Sequence, residues 1–132
     1  MSSIRLVDLR KEFGESVVAV ENTNLAIEDG EFVVFVGPSG CGKTTTLRMI
    51  AGLEDPTRGD IFIGSELVNE LDPGARDIGL VFQNLALFPH MTVFDNIGFG
   101  PKMSKMPSDE RQSRVEEVAR IVQIHHLLPK LP

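Results

Sequence analysis

Apolar and polar residues alternate along much of the first half of the chain, which is the pattern of half-buried β-strands. Residues 4–9 (IRLVDL) follow this alternation, and residues 17–27 (VVAVENTNLAI) contain two further strand candidates. Residues 32–36 (FVVFV) are apolar on both faces, as in a central strand of a covered parallel sheet. Residues 60–64 and 77–83 also have strand character and are separated by the turn-rich LDPGAR. The first half is therefore expected to form a sheet.

A helix is expected inside this region, directly after a glycine-rich loop. It should begin near Lys43 and continue to residue 53, because Leu47, Ile50 and Ala51 share one apolar face at spacings of three and four. Gly52 and the following EDPTRGD favour its end. The order strand, helix, strand, strand predicts an α/β fold.

From about residue 85 onward, helical signals replace the strand alternation. Thr92 or Asp95 is expected to cap a short helix, and residues 109–128 are expected to form one amphipathic helix. Ser108 is the predicted N-cap of that longer helix, and the two acidic residues after it suit the positive end of the helix dipole. The predicted apolar stripe consists of Val115, Val118, Ala119, Val122 and Leu127.

Composition narrows the possible partners. The 132 residues are 42% hydrophobic and 24% charged, which is globular composition. The patterns above divide them into a sheet-based core, residues 1–84, and a helical subdomain, residues 85–132. The net charge of −6 argues against broad nucleic-acid binding, so no nucleic acid is expected as a partner. Apolar stretches are far shorter than the ~18 residues of a membrane span, so no direct membrane insertion is expected.

The loop before the first helix carries the strongest chemical signal. Residues 37–44, GPSGCGKT, match the phosphate-binding pattern G-x-x-x-x-G-K-[ST] between a predicted strand and a predicted helix. Glycines let backbone N–H groups close around a polyphosphate, and the helix N-terminus adds donors. Lys43 supplies a charge for the β- and γ-phosphates, and the Thr44 hydroxyl suits Mg²⁺. The predicted nucleotide-binding residues are Gly37, Pro38, Ser39, Gly40, Cys41, Gly42, Lys43, Thr44 and Thr45.

Two long stretches extend this match beyond the loop: LAIEDGEFVVFVGPSGCGKTTTLRMIAGLEDPTRGDIFIG and RDIGLVFQNLALFPHMTVFDNIGFG. Through them the chain resembles the ATPase subunits of ABC transporters, most closely those that import maltose, other sugars and glycerol phosphate. The resemblance implies an incomplete P-loop NTPase core with an N-terminal antiparallel β portion and the start of a helical subdomain. It also implies ATP and Mg²⁺ as cofactors, a homodimer in the complete protein, and a peripheral location on the cytoplasmic face of the inner membrane.

The resemblance assigns roles to three further regions. Phe13 takes the position of the family's aromatic residue that stacks on adenine; by itself it would be an ordinary phenylalanine in an edge turn. Gln83 matches the Q-loop glutamine, which reaches Mg²⁺ and contributes to catalysis with Lys43; in isolation it is a polar residue that closes a strand. Residues 84–91 lie where family members contact a membrane permease, although internal packing explains the apolar LALFPHM equally well.

Several catalytic elements of the family do not occur in these 132 residues. There is no LSGGQ, no apolar run that ends in Asp-Glu, and no histidine at the switch position, since His90, His125 and His126 lie elsewhere. We therefore expect a truncated subunit that binds ATP without hydrolysing it alone, in which residues 32–36 keep an unpaired strand edge. The alternative is a non-catalytic nucleotide-binding or interaction module that retains the loop and the permease-facing surface. Cys41 is interpreted as a small residue that fits the loop, because no neighbouring base would make it a nucleophile.

Overall fold

The structure is a computed structural model that describes residues 2–14, 16–82 and 87–132. The chain divides into two compact units, Met1–Leu80 and Val81–Pro132, and each is described by itself.

The first unit is built on an antiparallel sheet with the strand order β2-β1-β3-β4. Its strands are β1 Ile4–Phe13, β2 Val17–Ile27, β3 Arg58–Ile63 and β4 Glu66–Leu67. Ile4 pairs with Ile27 on one side and with Ile63 on the other, so β1 has a neighbour along both edges. The predicted strands at 4–9 and 60–64 are therefore confirmed.

The expected pair of strands within residues 17–27 is a single irregular strand, β2. Its pairing with β1 shifts register across Asp8, and both Asp8 and Asn22 adopt positive φ, at 47° and 42°. The side-chain oxygen of Asn24 accepts the Asp8 N–H at 2.9 Å, and its amide donates to the Asp8 carboxylate at 2.9 Å. The prediction of two strands was wrong because a bulge held by these side chains absorbs the irregularity without ending the ladder.

Helix α1, Lys43–Ile50, packs on this sheet and completes the core of the first unit. Its predicted start near Lys43 is confirmed, but its end comes at Ile50 because Gly52 turns the chain with φ 73°. Leu47 is 45% exposed, which contradicts its predicted place on the apolar face. The buried residues of α1 are Thr46, Met49 and Ile50. The core cluster consists of Leu6, Leu9, Val20, Met49, Ile50, Ile61 and Val68.

Two predicted strands are absent from the part of the chain that the structure describes. Residues 32–36 and 77–82 have no regular secondary structure, and Phe32 and Val81 are 91% and 94% exposed. The apolar pattern of a segment indicates which side chains are expected to be buried. A β-strand also requires a neighbouring strand that forms hydrogen bonds with its backbone N–H and C=O groups. Neither run pairs with the described four-stranded sheet, and this is why the pattern alone gave the wrong assignment.

The second unit is helical. Its helices are α2 Val93–Ile97, α3 Phe99–Met103 and α4 Ser108–Ile121. The predicted cap of the short helix is confirmed at Thr92, whose hydroxyl oxygen accepts the Asp95 N–H at 3.1 Å. Helix α4 packs its buried Val115 and Ala119 against Leu128 and apolar residues of α2. Over the described ranges, no helix combines the length and apolar character that a bilayer crossing needs.

Helix α4 differs from its prediction at both ends. The N-cap is Pro107 and Ser108 is the first helical residue; no side chain caps this end, because Ser108 already has helical geometry. The helix stops at Ile121 instead of 128, since Gln123 takes a left-handed φ of 62° and a short 3₁₀ turn follows. Val118 and Val122 of the predicted stripe are exposed, so the buried face is narrower than expected.

Candidate phosphate-binding site

Gly42 joins the glycine-rich loop to α1 in a conformation that other residues rarely adopt. It is the N-cap of α1 with φ 90° and ψ 0°, and it contributes no side-chain cap. A Cβ on Gly42 would lie 2.2 Å from the Ala19 carbonyl oxygen of β2 and 3.1 Å from a methyl of Val20. Strand β2 therefore contacts the backbone of Gly42 directly, at the junction of loop and helix, and a residue without a Cβ is required there.

Two other glycines keep the loop narrow. Gly40 has φ 81°, which is in the left-handed region, and a Cβ on Gly37 would lie 2.7 Å from the Cys41 sulfur. The Cys41 N–H donates to the Pro38 carbonyl at 3.4 Å, which forms a turn within the loop. Cys41 is exposed and free, and its sulfur packs over Gly37.

Lys43 reaches back across this turn. Its ammonium donates to the carbonyl oxygens of Gly37 and Pro38, both at 2.7 Å, and lies 3.4 Å from the Cys41 sulfur. These partners are neutral, so the positive charge of Lys43 is held inside the loop without a carboxylate in these contacts. An anionic oxygen would bind the ammonium more strongly than these carbonyls do.

The first turn of α1 is open to an anion. Among residues 43–46, all of them described, there is no acidic side chain to occupy the positive end of the helix. The first N–H groups of a helix have no partner within the helix, and they attract phosphate. Thr46 fixes the turn: its buried hydroxyl donates to the Gly42 carbonyl at 3.0 Å. Thr44 is exposed and Thr45 half-buried, so the Thr44 side chain is accessible from solvent.

The loop also borders open space. A cleft of about 640 Å³ lies beside it, lined by β2, by residues 34–36 and by the loop and start of α1. Lys43 and Thr46 belong to this lining. Taken together, the glycines, the free helix end and the lysine fit a polyphosphate, and the hydroxyl of Thr44 fits a hard cation such as Mg²⁺.

Phe13 lies at the end of β1, where it pairs with Val17. Phe13 is 42% exposed, and the Lys11 ammonium lies 5.0 Å from the ring centroid. Lys11 in turn forms an ion pair with Glu54 at 2.6 Å, which holds the cation beside the ring. Val17 lies two residues before Ala19, the contact of Gly42, so the structure places Phe13 on the strand pair that borders the loop.

Gln83 and residues 84–86 lie outside the described residues. The rest of the segment predicted to meet a permease, residues 87–91, is described, and Leu87 and Phe88 are exposed. The Phe88 ring packs against Phe99 with 4.6 Å between centroids. The apolar side chains of this segment are therefore partly packed within the second unit and partly exposed, so both explanations of the apolar sequence remain in place.

Sequence reasoning missed the residue that holds this segment in place. The Asn96 side chain accepts the Phe88 N–H at 2.8 Å and donates to the carbonyls of Phe88, Met91 and Thr92 at 3.0 to 3.1 Å. An asparagine within a short helix is a signal for such local bonds, because its amide competes for backbone partners.

Arg76 was also missed, because the sequence interpretation treated LDPGAR as a turn. Its side chain is buried and donates to main-chain carbonyls around the end of α1. Burial lowers the pKa of Arg76 from its ordinary value, and the charge of Asp55 opposes this shift. No pattern in the sequence distinguishes a buried arginine from an exposed one.

A glycine loop closed by its own lysine at the start of a helix is the geometry of a phosphate-binding loop, and comparison with known proteins identifies the family. The ABC transporter family matches residues 20–132, and the chain belongs to it. The sequence-based assignment to this family is confirmed.

Curated relatives match the full chain. It is 50% identical over 132 residues to the maltose/maltodextrin import ATP-binding protein MalK of Vibrio vulnificus (strain YJ016). It is 53% identical over 138 residues to the trehalose/maltose import ATP-binding protein MalK of Thermococcus litoralis. It is 52% identical over 132 residues to the oligosaccharides import ATP-binding protein MsmX of Bacillus subtilis (strain 168). The chain spans between 35% and 37% of the length of these relatives.

Solved structures resemble the fold. A dimeric ATP-binding cassette in a post-hydrolysis state, bound to ADP and Pi, superposes with a TM-score of 0.83 at 33% identity, covering 98% of this chain and 61% of that one. A dimeric bacterial ABC transporter cassette gives a TM-score of 0.84 at 34% identity, with the same coverage. The predicted fold class, part of a P-loop NTPase core with an N-terminal antiparallel β portion, is confirmed.

Proposed function

We propose that this chain is the nucleotide-binding part of an ABC importer ATP-binding subunit and that it binds ATP with Mg²⁺ at residues 37–45. The observation that carries the proposal is the position of Lys43, whose ammonium bridges the carbonyls of Gly37 and Pro38 at 2.7 Å. A lysine whose contacts here are two neutral carbonyl oxygens and a sulfur, at an open helix N-terminus, suits a ligand with several charged phosphate oxygens.

Each part of the site has a separate task in this proposal. The glycines let the backbone approach the phosphates, and Lys43 binds the β- and γ-phosphate oxygens. Bound Mg²⁺ would offset phosphate charge; Thr44 and Gln83 are its proposed ligands. Phe13 is proposed to stack on the adenine ring, which its exposure supports. Lys43 and Gln83 contribute to catalysis in a complete site.

The wider role follows from the relatives. Their names describe import of maltose, trehalose and oligosaccharides, so we assign a sugar importer to this chain. The exposed Leu87 and Phe88, held by Asn96, support residues 84–91 as the contact with a membrane permease. This contact would place the protein peripherally on the cytoplasmic face of the inner membrane, as a homodimer like the dimeric cassettes.

A second candidate is a non-catalytic nucleotide-binding module. Such a module would use the phosphate-binding loop of residues 37–45 together with the surface that contains the exposed Leu87 and Phe88. Both candidates share ATP binding, and both predict that the 132-residue chain alone releases no phosphate from ATP. They differ in whether the complete protein hydrolyses ATP.

The binding site is tested by titrating the chain with a fluorescent ATP analogue in Mg²⁺, alongside Lys43→Ala. We expect Lys43→Ala to weaken binding about 10- to 100-fold, since a hydrogen bond to a charged group contributes ~1.5–3 kcal/mol. Lys105→Ala, which removes an exposed lysine from the second unit, is the matched control and should leave affinity unchanged. Equal affinity of Lys43→Ala and the unaltered chain would contradict the proposal.

A further inference from the structure

The side chain of Arg76 is deeply buried, yet its partners are all backbone. It is 4% exposed. One terminal nitrogen donates to the carbonyls of Met49 and Ile50 at 2.8 and 3.0 Å, Nε donates to Leu71 at 3.0 Å, and the other terminal nitrogen donates to Asn69 at 3.3 Å. Within the residues that the structure describes, Arg76 forms no ion pair with a carboxylate.

Two of these carbonyls belong to the last turn of α1. Met49 and Ile50 end the helix, and their oxygens form its negative pole. Gly52 turns the chain so tightly around the guanidinium that a Cβ there would lie 2.6 Å from Nε of Arg76. Arg76 is thus enclosed by the end of α1 and joins it to the segment of residues 69–76.

The other end of α1 is the phosphate-binding site. The helix has eight residues and begins at Lys43, so its poles lie only about 12 Å apart at 1.5 Å per residue. Over so short a helix, the negative pole of roughly half a charge weakens the attraction of the positive pole for an anion. The positive charge of Arg76 lies on the last carbonyls and opposes that field, while the charge of Asp55, which also acts on Arg76, offsets part of its effect.

We infer that Arg76 is a positioning residue for the phosphate-binding loop, which it serves by fixing the far end of α1 and neutralising the negative pole there. The inference rests on the proposed nucleotide binding at residues 37–45. It assigns Arg76 an effect that depends on the charge of the ligand, because the field at the loop acts on each phosphate charge.

This dependence on charge separates the inference from a purely structural role. Loss of packing and hydrogen bonds alone would change the ratio of ATP to ADP affinity similarly in Arg76→Met and in Arg76→Lys, because both variants lose most of the bonds to the backbone. Loss of the Arg76 charge should weaken ATP more, so the ratio of ATP to ADP affinity should fall about twofold at low ionic strength, where a phosphate charge ~15 Å away is little screened.

The experiment compares Arg76→Met with two other variants of the full chain, using fluorescent ATP and ADP analogues with Mg²⁺. Arg76→Lys keeps the charge but loses most of the hydrogen bonds. Asn69 lies in the same segment as Arg76. Asn69→Ala removes its side-chain hydrogen bonds to Ile61 and Gly59 of β3 and leaves the Arg76 side chain unchanged. We expect the affinity ratio to fall in Arg76→Met and to stay at the unaltered value in the other two. An unchanged ratio in a folded Arg76→Met, or an equal fall in Arg76→Lys, would overturn the inference.

Amide hydrogen exchange supplies a second readout. The N–H groups of Ala51, Gly52 and Leu53 bond to the last carbonyls of α1, and they should exchange faster in Arg76→Lys. If Arg76→Met does not fold, unchanged exchange in Arg76→Lys would overturn the inference. If the unaltered chain binds neither nucleotide, the proposed function fails, and the same exchange result decides separately whether Arg76 fixes α1.

Discussion

The two ends of α1 are built in opposite ways. At the C-terminal end, carbonyls are bonded by the N–H groups of Gly52 and Leu53 and by the buried Arg76. At the N-terminal end, Gly42 caps the helix without a side chain, and Lys43 donates to neutral carbonyls of its own loop. Hydrogen-bonding capacity is saturated at one end and left open at the other. In the proposed function the open end binds the phosphates, and the bonds at the closed end hold the helix in place.

Gly42→Ala should lower the free energy of unfolding more than the other variants do, because it changes the residue at the junction of the loop and α1. A Cβ at φ 90° would lie 2.2 Å from the Ala19 carbonyl. The free energy of unfolding should fall by about 3 kcal/mol from backbone strain and overpacking together. Urea denaturation measures this, with Gly74→Ala as the control, since a Cβ on Gly74 meets nothing within 4 Å. Equal stability of the two variants would contradict the described contact.

Gly52→Ala disturbs the closed end and should have an intermediate effect. Gly52 has φ 73°, and its Cβ would contact the Arg76 guanidinium at 2.6 to 3.1 Å. We expect a loss of about 2 kcal/mol, against about 1 kcal/mol for Gly64→Ala, which has φ 62° but almost no contacts. The difference between the variants, measured by denaturation, isolates the contact with Arg76. If Gly64→Ala were the more damaging change, the enclosed arginine would not be what closes this end.

Two threonines of α1 give the smallest and most selective test. Thr46→Val removes the buried hydroxyl bond to Gly42 and should cost about 1 kcal/mol of stability. Thr44→Val changes an exposed residue of the same helix and should leave stability unchanged while weakening Mg²⁺-dependent ATP binding. Thermal unfolding and nucleotide titration of both variants check this. A Thr44→Val variant with unaltered Mg²⁺ dependence would mean that this hydroxyl is not a metal ligand.

The sequence predicted the parts of the fold that depend on local chemistry. The glycine pattern located the loop, Lys43 marked the start of α1, and Thr92 marked the start of α2, because turns and caps are set by nearby residues. The runs at 32–36 and 77–82 were misassigned because a strand depends on a partner elsewhere in the chain. Helix α4 ends at Ile121 because Gln123 adopts a left-handed conformation. A glycine usually takes that position after a helix, and without one the sequence did not indicate the end.

The sequence predicted which residue types form the candidate site, but it did not predict the contacts that hold the loop and α1 in place. The phosphate-binding pattern named Lys43 and its neighbours, since the chemistry requires those types at that spacing. The contact of Gly42 with Ala19 and the clamp of Arg76 on α1 arise from packing between distant segments. Such contacts leave no periodic trace in a single sequence, so they become visible only in the structure.

The central claim, that the open end of α1 binds ATP, is tested most directly by an NMR titration of the isotopically labelled chain with Mg²⁺ and ATP. Amide signals of Gly40, Gly42, Lys43 and Thr44 should shift progressively and saturate, while those of α4 should stay unchanged. The same titration of Lys43→Ala should require far more ATP. Loop signals that do not move, or that move equally in Lys43→Ala, would contradict the account.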